Sequence, residues 1–148
     1  EREELLMPHQ ANPLGTAFGA VIMGWIDMVG AMAAQKHCQM KVVTAQVDSM
    51  MFKQPINVGD HVVLKSCVNY VSTTSMEVGV KVLREDPYSG VSSVATTAHL
   101  TFVAMGDHGK PAACPPLVPQ TDTEKRRWEN ARLRVKTRKE LLNKMQTE

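Results

Sequence analysis

Between Leu5 and Gln35 the chain carries one formal charge at neutral pH, Asp27, in the middle of a run from Ala17 to Ala34 that is otherwise apolar or small. Such a run has to be buried. Its length allows a membrane span, but the central carboxylate, the interrupting glycines Gly19, Gly24 and Gly30, and the lack of a basic flank before it favour a buried helix in a water-soluble domain. Thr16 is the expected N-cap of a helix from about Ala17 to His37, with Lys36 and His37 suited to its negative end.

At 100° per residue, Phe18, Ile22, Trp25, Ile26, Val29, Met32 and Ala33 fall on one bulky face expected to pack into a core. Asp27 falls opposite, with Ala20, Met23, Gly24, Gly30, Ala31 and Ala34. That small-residue surface lets a ligand or a partner's backbone come close. Asp27 has no ion-pair partner along the helix, so it faces water, a cleft, or a donor from elsewhere in the fold. The residues alone leave two readings open: an exposed aspartate, and a site carboxylate.

After Lys41 the hydrophobic period changes from helical to alternating, with β-branched residues concentrated in the run to Phe52. Strand-like runs recur at His61–Val71, Ser75–Arg84 and Val91–Met105, separated by the Thr73-Thr74 step and by Asp86-Pro87-Tyr88-Ser89-Gly90, which is strong turn chemistry. Four strands with short connections predict an antiparallel sheet, and a helix apolar on nearly every side is best buried by a sheet curled around it. The predicted fold class is therefore α+β.

Before the helix, residues 8–16 form a loop rich in turn formers, where Asn12 before Pro13 reads as an Asx-turn residue and Gly15 is free to take positive φ. Beyond the last strand, a proline-punctuated segment leads to a charged, helical stretch at Thr121–Lys144. One domain over residues 1–119 and a basic helical tail over 120–148 is the expected organisation. The tail carries nine Lys/Arg against five Asp/Glu.

Several function classes are disfavoured. Cys38, Cys67 and Cys114 are odd in number, widely spaced and free of any Cys-x-x-Cys pattern, which disfavours a disulfide framework and zinc and favours a reducing, cytoplasmic setting. No secretory signal pattern opens the chain. His9, His37, His61, His99 and His108 lack metal-ligand spacing, and no Ser-His-Asp order stands out. Seven Phe, Trp and Tyr residues and an acid-interrupted basic segment fit nucleic acid poorly.

The segment Asn12-Pro-Leu-Gly15-Thr-Ala-Phe18-Gly19-Ala-Val-Ile-Met-Gly-Trp-Ile-Asp27 resembles the loop-and-helix signature of hotdog acyl-CoA thioesterases of the YciA and brain acyl-CoA hydrolase type. Later blocks are similar too, among them Val42-Val43-Thr44, Phe52-Lys-Gln-Pro55, Val58-Gly59-Asp60, Thr74-Ser75-Met76-Glu77-Val78 and Gly109-Lys110-Pro111, so the resemblance covers about residues 5–120. It implies a hotdog fold, a curved antiparallel sheet wrapped around one central helix, followed here by the charged C-terminal helix.

The implied reaction is hydrolysis of acyl-CoA to a free acid and CoA, with no cofactor and no metal. Asp27 matches the catalytic carboxylate, as general base or nucleophile, since an apolar setting suits a carboxylate to taking a proton from water. Asn12 matches the family's other catalytic position, contributed across a subunit interface. The N–H groups of Gly19 and Ala20 would form an oxyanion hole at the helix start. Ala20 departs from the family's second glycine, and Phe18 stands where some members have histidine.

For CoA, the resemblance points to the Thr73-Thr74-Ser75 turn, and more loosely to Arg126, Arg127, Arg132, Arg134 and Arg138, for which a merely solvated charged face is the plainer reading. The implied assembly is a homo-oligomer, with a dimer as catalytic unit and a trimer of dimers as the further state. The alternative function is a non-catalytic acyl-CoA sensor; no nucleic-acid or membrane partner is expected.

Overall fold

The computed structural model describes residues 1–145. Its elements are β1 (Arg2–Leu5), a 3-10 turn at Pro8–Gln10, α1 (Gly19–Cys38), β2 (Lys41–Phe52), β3 (His61–Val71), β4 (Ser75–Glu85), β5 (Ser92–Met105) and α2 (Asp122–Lys144). The strands form one sheet in the order β1-β3-β4-β5-β2, and every neighbouring pair is antiparallel. α1 packs against four of the five strands, so the sheet wraps the helix as the hydrophobic pattern predicts. Among the described residues no helix is long and apolar enough to cross a membrane.

The core lies between α1 and one face of the sheet. Ile22, Trp25, Ile26 and Val29 from the helix meet Val62, Leu64, Met76, Val78, Val80, Val82, Leu100 and Phe102 from the strands. Each fully buried side chain of this size contributes roughly 1.5–3 kcal/mol relative to leaving it in water. Gly30 lets the helix seat closely on β5, because a Cβ there would stand 3.1 Å from the Phe102 ring. Mid-helix, the Ser66 hydroxyl donates to the Val29 carbonyl at 3.0 Å and ties α1 to β3.

Four sequence-based expectations need correction. The helix begins at Gly19 with Phe18 as N-cap, and Thr16 caps nothing, because its hydroxyl is engaged by Asn12 in the preceding loop. Phe18 and Met32 are about half exposed instead of buried in the bulky stripe. Gly30 and Ala34, placed by the helical wheel on the Asp27 face, are buried against the sheet. A short strand, β1, precedes the helix and pairs with β3, giving five strands where four were expected.

α2 lies on the opposite face of the sheet. Thr121 forms a capping box with Glu124 at its start, the Thr121 hydroxyl accepting from the Glu124 N–H and the Glu124 carboxylate accepting from the Thr121 N–H. Arg134 donates two hydrogen bonds to the buried Glu77 carboxylate on β4, at 2.6 and 3.2 Å. Arg138 pairs with Asp48 on β2, which also accepts from the Thr101 hydroxyl. Trp128 packs on Tyr70 with ring centroids 5.3 Å apart, and Ala131 is fully buried between helix and sheet. Part of the charged helical face is therefore docked by bidentate ion pairing and not simply solvated.

Candidate active site

Asp27 sits midway along α1, on the side turned towards the edge strand β2, and is half-buried in the single protomer. Its Oδ1 accepts a hydrogen bond of 2.7 Å from the Thr44 hydroxyl on β2. This fixes the carboxylate's orientation, and among the described residues Oδ2 has no protein donor. Thr44 belongs to a block that carried the family resemblance, but its role as the partner of Asp27 was not legible. The signal was only a threonine among valines in a strand.

Asn12 is held within its own loop. Its Oδ1 accepts from the N–H groups of Leu14 at 2.9 Å and Thr16 at 3.2 Å, and its Nδ2 donates to the Thr16 hydroxyl at 2.9 Å. Gly15, at φ +80°, makes the turn that lets the chain close back onto Asn12. The Asx-turn reading from the sequence is thus present in the structure. Among the described residues, one of the two Nδ2 protons has no acceptor and is available to donate.

At the start of α1 the first intrahelical bonds run from Val21 and Ile22 to the Phe18 carbonyl. The N–H groups of Gly19 and Ala20 have no protein acceptor among the described residues and stand at the positive end of the helix dipole. Two backbone bonds fix this end in place: Phe18 N–H to the Gln10 carbonyl at 2.9 Å, and Ala17 N–H to the Ile56 carbonyl at 2.7 Å. A Cβ on Gly19 would meet only the Phe52 ring, at 3.9 Å, so the fold itself does not require glycine there.

Beside this helix start opens a cavity of about 340 Å³, lined by Ala17, Gly19, Ile22, Phe52, Ile56 and Thr96 among others. Its lining is mostly apolar, with the donors of Gly19 at one wall. Thr96 is fully buried, and among the described residues its hydroxyl has no hydrogen-bond partner. An unpaired buried hydroxyl costs about 1–3 kcal/mol. Thr96→Val is therefore expected to leave thermal stability unchanged or raise the Tm in a calorimetric scan, whereas a hidden structural partner would show as a fall.

The Thr73-Thr74-Ser75 segment forms the β3–β4 hairpin turn, far along the chain from the helix start. The Thr73 carbonyl accepts from Cys114 N–H and the Thr74 carbonyl from Ala104 N–H, while the Ser75 and Ser72 hydroxyls lie 2.7 Å apart. Thr73 is exposed. Within one protomer the structure thus joins Asp27 to Thr44 and Asn12 to Thr16, and no hydrogen bond among the described residues joins these two pairs to each other.

A long helix clasped by a five-stranded antiparallel sheet, with free N–H donors at its start and a fixed carboxylate on its exposed flank, defines a hotdog domain. Residues 14–91 match the family model described as the thioesterase superfamily, and the chain belongs to that family. It is 42% identical over 119 residues to YkhA of Bacillus subtilis, an uncharacterized acyl-CoA thioester hydrolase, covering 80% of this chain and 69% of the relative. A hexameric acyl-CoA thioesterase solved in the apo state superposes with a TM-score of 0.93 at 38% identity, over 97% of this chain and 92% of that one.

An acyl-CoA hydrolase from Staphylococcus aureus, solved with butyryl-CoA, CoA and CoA disulfide, gives a TM-score of 0.88 at 38% identity, over 93% of this chain and 84% of that one. The same enzyme has been solved as three single-alanine variants, at an asparagine, an aspartate and a threonine. Their separations along its chain are fifteen and seventeen residues.

Proposed function

We propose that this chain hydrolyses acyl-CoA thioesters to free carboxylic acid and CoA, with Asp27 as general base. The observation that carries the reading is the Asp27–Thr44 pair, a half-buried carboxylate with no ion-pair partner among the described residues held by one hydroxyl on the flank of α1 turned towards β2. Asn12, Asp27 and Thr44 are separated by fifteen and seventeen residues, the same separations as the three positions replaced in the Staphylococcus aureus hydrolase.

In this reaction water adds to the thioester carbonyl carbon while Asp27 Oδ2 takes its proton, and the carbonyl oxygen becomes an oxyanion held by the Gly19 and Ala20 N–H groups. Collapse of the tetrahedral intermediate breaks the carbon–sulfur bond. The CoA thiolate leaves and receives the proton from Asp27, restoring the carboxylate. Donors aimed at the developing oxyanion contribute about 2.7–4 kcal/mol each in comparable sites.

Helix geometry decides how many protomers one site needs. Gly19 and Asp27 are eight residues apart on α1, which is about 12 Å along the axis at 1.5 Å per residue. A base acting through one water must lie within a few ångströms of the carbonyl whose oxygen the N–H donors hold. The donors and the base in one site therefore come from different copies of α1, arranged by a two-fold axis so that each Asp27 meets the other copy's helix start. Asn12 precedes that start and travels with it, and its free Nδ2 proton points to a role in holding water or the carbonyl.

The exposed surface supports such a pairing. β2 is an edge strand of 12 residues, paired with β5 on one side and open on the other, with Val43, Val47, Met51 and Phe52 exposed, and Met23, one turn before Asp27 on α1, is exposed as well. A long apolar edge left in water invites strand pairing and aggregation, so a second copy is its natural cover. We place the dimer axis at this edge, with a trimer of dimers as the further assembly.

The direct test is thiol release from butyryl-CoA by the purified protein, followed with a chromogenic thiol reagent. Steady turnover is expected; binding of butyryl-CoA without turnover would instead support the sensor reading. Thr44→Val removes the donor that aligns Asp27 without altering volume much. It is expected to lower kcat about 10- to 100-fold with little change in KM, in line with the cost of lost catalytic alignment, and Thr44→Ser should restore most of the loss.

A further inference from the structure

The cavity beside the start of α1 changes character with depth. Phe52, Lys53 and Gln54 at its mouth are exposed, while Ile22, Ile56 and Thr96 at its base are buried. Thr96 stands on β5 two residues before Ala98 and four before Leu100, so strand alternation turns it to the same face as these core residues, towards α1. Among the described residues no other buried side-chain oxygen or nitrogen lacks a hydrogen-bond partner.

Packing alone does not call for this hydroxyl. Valine has nearly the same shape and no oxygen to desolvate, so a purely structural role would favour it here. A buried water needs about two to four polar partners, and the neighbouring side chains of Ala17, Ile22, Phe52 and Ile56 offer none. Phe52 is the direct cross-strand partner of Thr96, so the two side chains share one face of the sheet. The Phe52 ring is also the nearest group to a Cβ placed on Gly19, at 3.9 Å. One aromatic side chain thus bridges from the free N–H of Gly19 to Thr96. Thr96 has no exposed surface, so a ligand reaches it by displacing that ring, which has about half its own surface bare and can turn aside with little loss of packing.

We propose that Thr96 is a specificity residue that selects short acyl groups bearing a hydroxyl or keto oxygen a few carbons beyond the thioester, an assignment that rests on the thioesterase reading for the identity of the ligand. A thioester carbonyl held by the Gly19 N–H puts the acyl chain at the cavity mouth, and about 340 Å³ lies at the small end of ligand cavities. Pantetheine fits less well, since its amides need partners and its far end has to reach solvent, whereas the cavity ends on buried Ile22 and Ile56. With a plain alkyl chain in place the Thr96 hydroxyl stays unpaired; with an oxygenated chain it gains a hydrogen bond. A site whose buried polar group is left unpaired by the wrong substrate discriminates more strongly than one that only measures bulk.

The test compares 3-hydroxybutyryl-CoA, 4-hydroxybutyryl-CoA and butyryl-CoA on the intact oligomer and on Thr96→Val. In the parent, kcat/KM is expected to be about tenfold or more higher for one of the hydroxybutyryl esters than for butyryl-CoA. In Thr96→Val that ratio should fall to about one, and Thr96→Ser, which restores the hydroxyl, should keep most of it. Calorimetric binding of the same three thioesters to Asp27→Asn protein separates this selectivity from catalysis. A hydroxybutyryl ester bound about tenfold more tightly there supports the role of Thr96 even if the parent releases no thiol, an outcome that would sink only the hydrolytic reading. The proposal is overturned if the three thioesters are handled alike, if butyryl-CoA is preferred, or if Thr96→Val keeps the parent's ratio.

Discussion

Asp27→Asn is expected to lower kcat for butyryl-CoA by about 10²–10⁴-fold, the usual contribution of a positioned general base, with KM changed by less than about threefold. The substitution is nearly isosteric, and the new amide oxygen still accepts from Thr44, so the carboxylate's ability to take a proton is all that is removed. The Tm of the variant should match the parent closely. Thiol release is the measurement, read as a rate, because Cys67 and Cys114 are half-buried free thiols that give the reagent a fixed offset. Undiminished turnover in a folded Asp27→Asn protein would remove Asp27 from the mechanism.

Val47→Asp is expected to separate the protomers and with them all measurable activity. Val47 is exposed on the edge strand, so a two-fold pairing across its open side is expected to bring the two new carboxylates near each other in an apolar contact. Like charges placed this way cost several kcal/mol, and each 1.4 kcal/mol is tenfold in the association constant. Sedimentation should show loss of the dimeric unit, with circular dichroism unchanged because Val47 is exposed in its own protomer. A fall of more than about 100-fold in thiol release follows from the 12 Å separation of Gly19 and Asp27 along one helix. A monomer that keeps full activity would contradict the shared site.

What the sequence revealed, and what it hid, divides along local and long-range causes. β3 was legible to the residue because its β-branched run is bounded by the Val58-Gly59-Asp60 turn and the Thr73-Thr74 step, both local signals. β1 was not, since Arg2-Glu3-Glu4-Leu5 has no strand character of its own and becomes a strand only by pairing with β3. The helix start was misplaced by two residues because it is set by bonds to Gln10 and Ile56, the latter thirty-nine residues along the chain from its partner Ala17. Thr16 looked like a cap but was already committed to Asn12.

The candidate site follows the same division. Asp27 stood out as a lone charge and lies half-buried on the flank of α1 turned towards β2, whereas its partner Thr44 became visible only when β2 folded back against that flank. Helical periodicity assigned Phe18 and Met32 to the core because it counts bulk and not partners. Both are about half exposed in the single protomer. Arg134 and Arg138 read as solvated charges because Glu77 and Asp48, the carboxylates that hold them, are fifty-seven and ninety residues away.

The most direct measurement of the shared site mixes two inactive proteins. In the proposed mechanism each site takes one residue from either copy, so Asn12→Ala and Asp27→Asn are each expected to disable every site in their own homodimers. After subunit exchange, confirmed by native mass spectrometry, each mixed dimer holds one doubly damaged site and one with both residues intact. Random pairing then makes about a quarter of all sites whole. Recovery of roughly 25% of parental thiol release is the expected result. Mixed dimers that form and stay inactive would contradict a site built from Asp27 of one protomer and Asn12 of another.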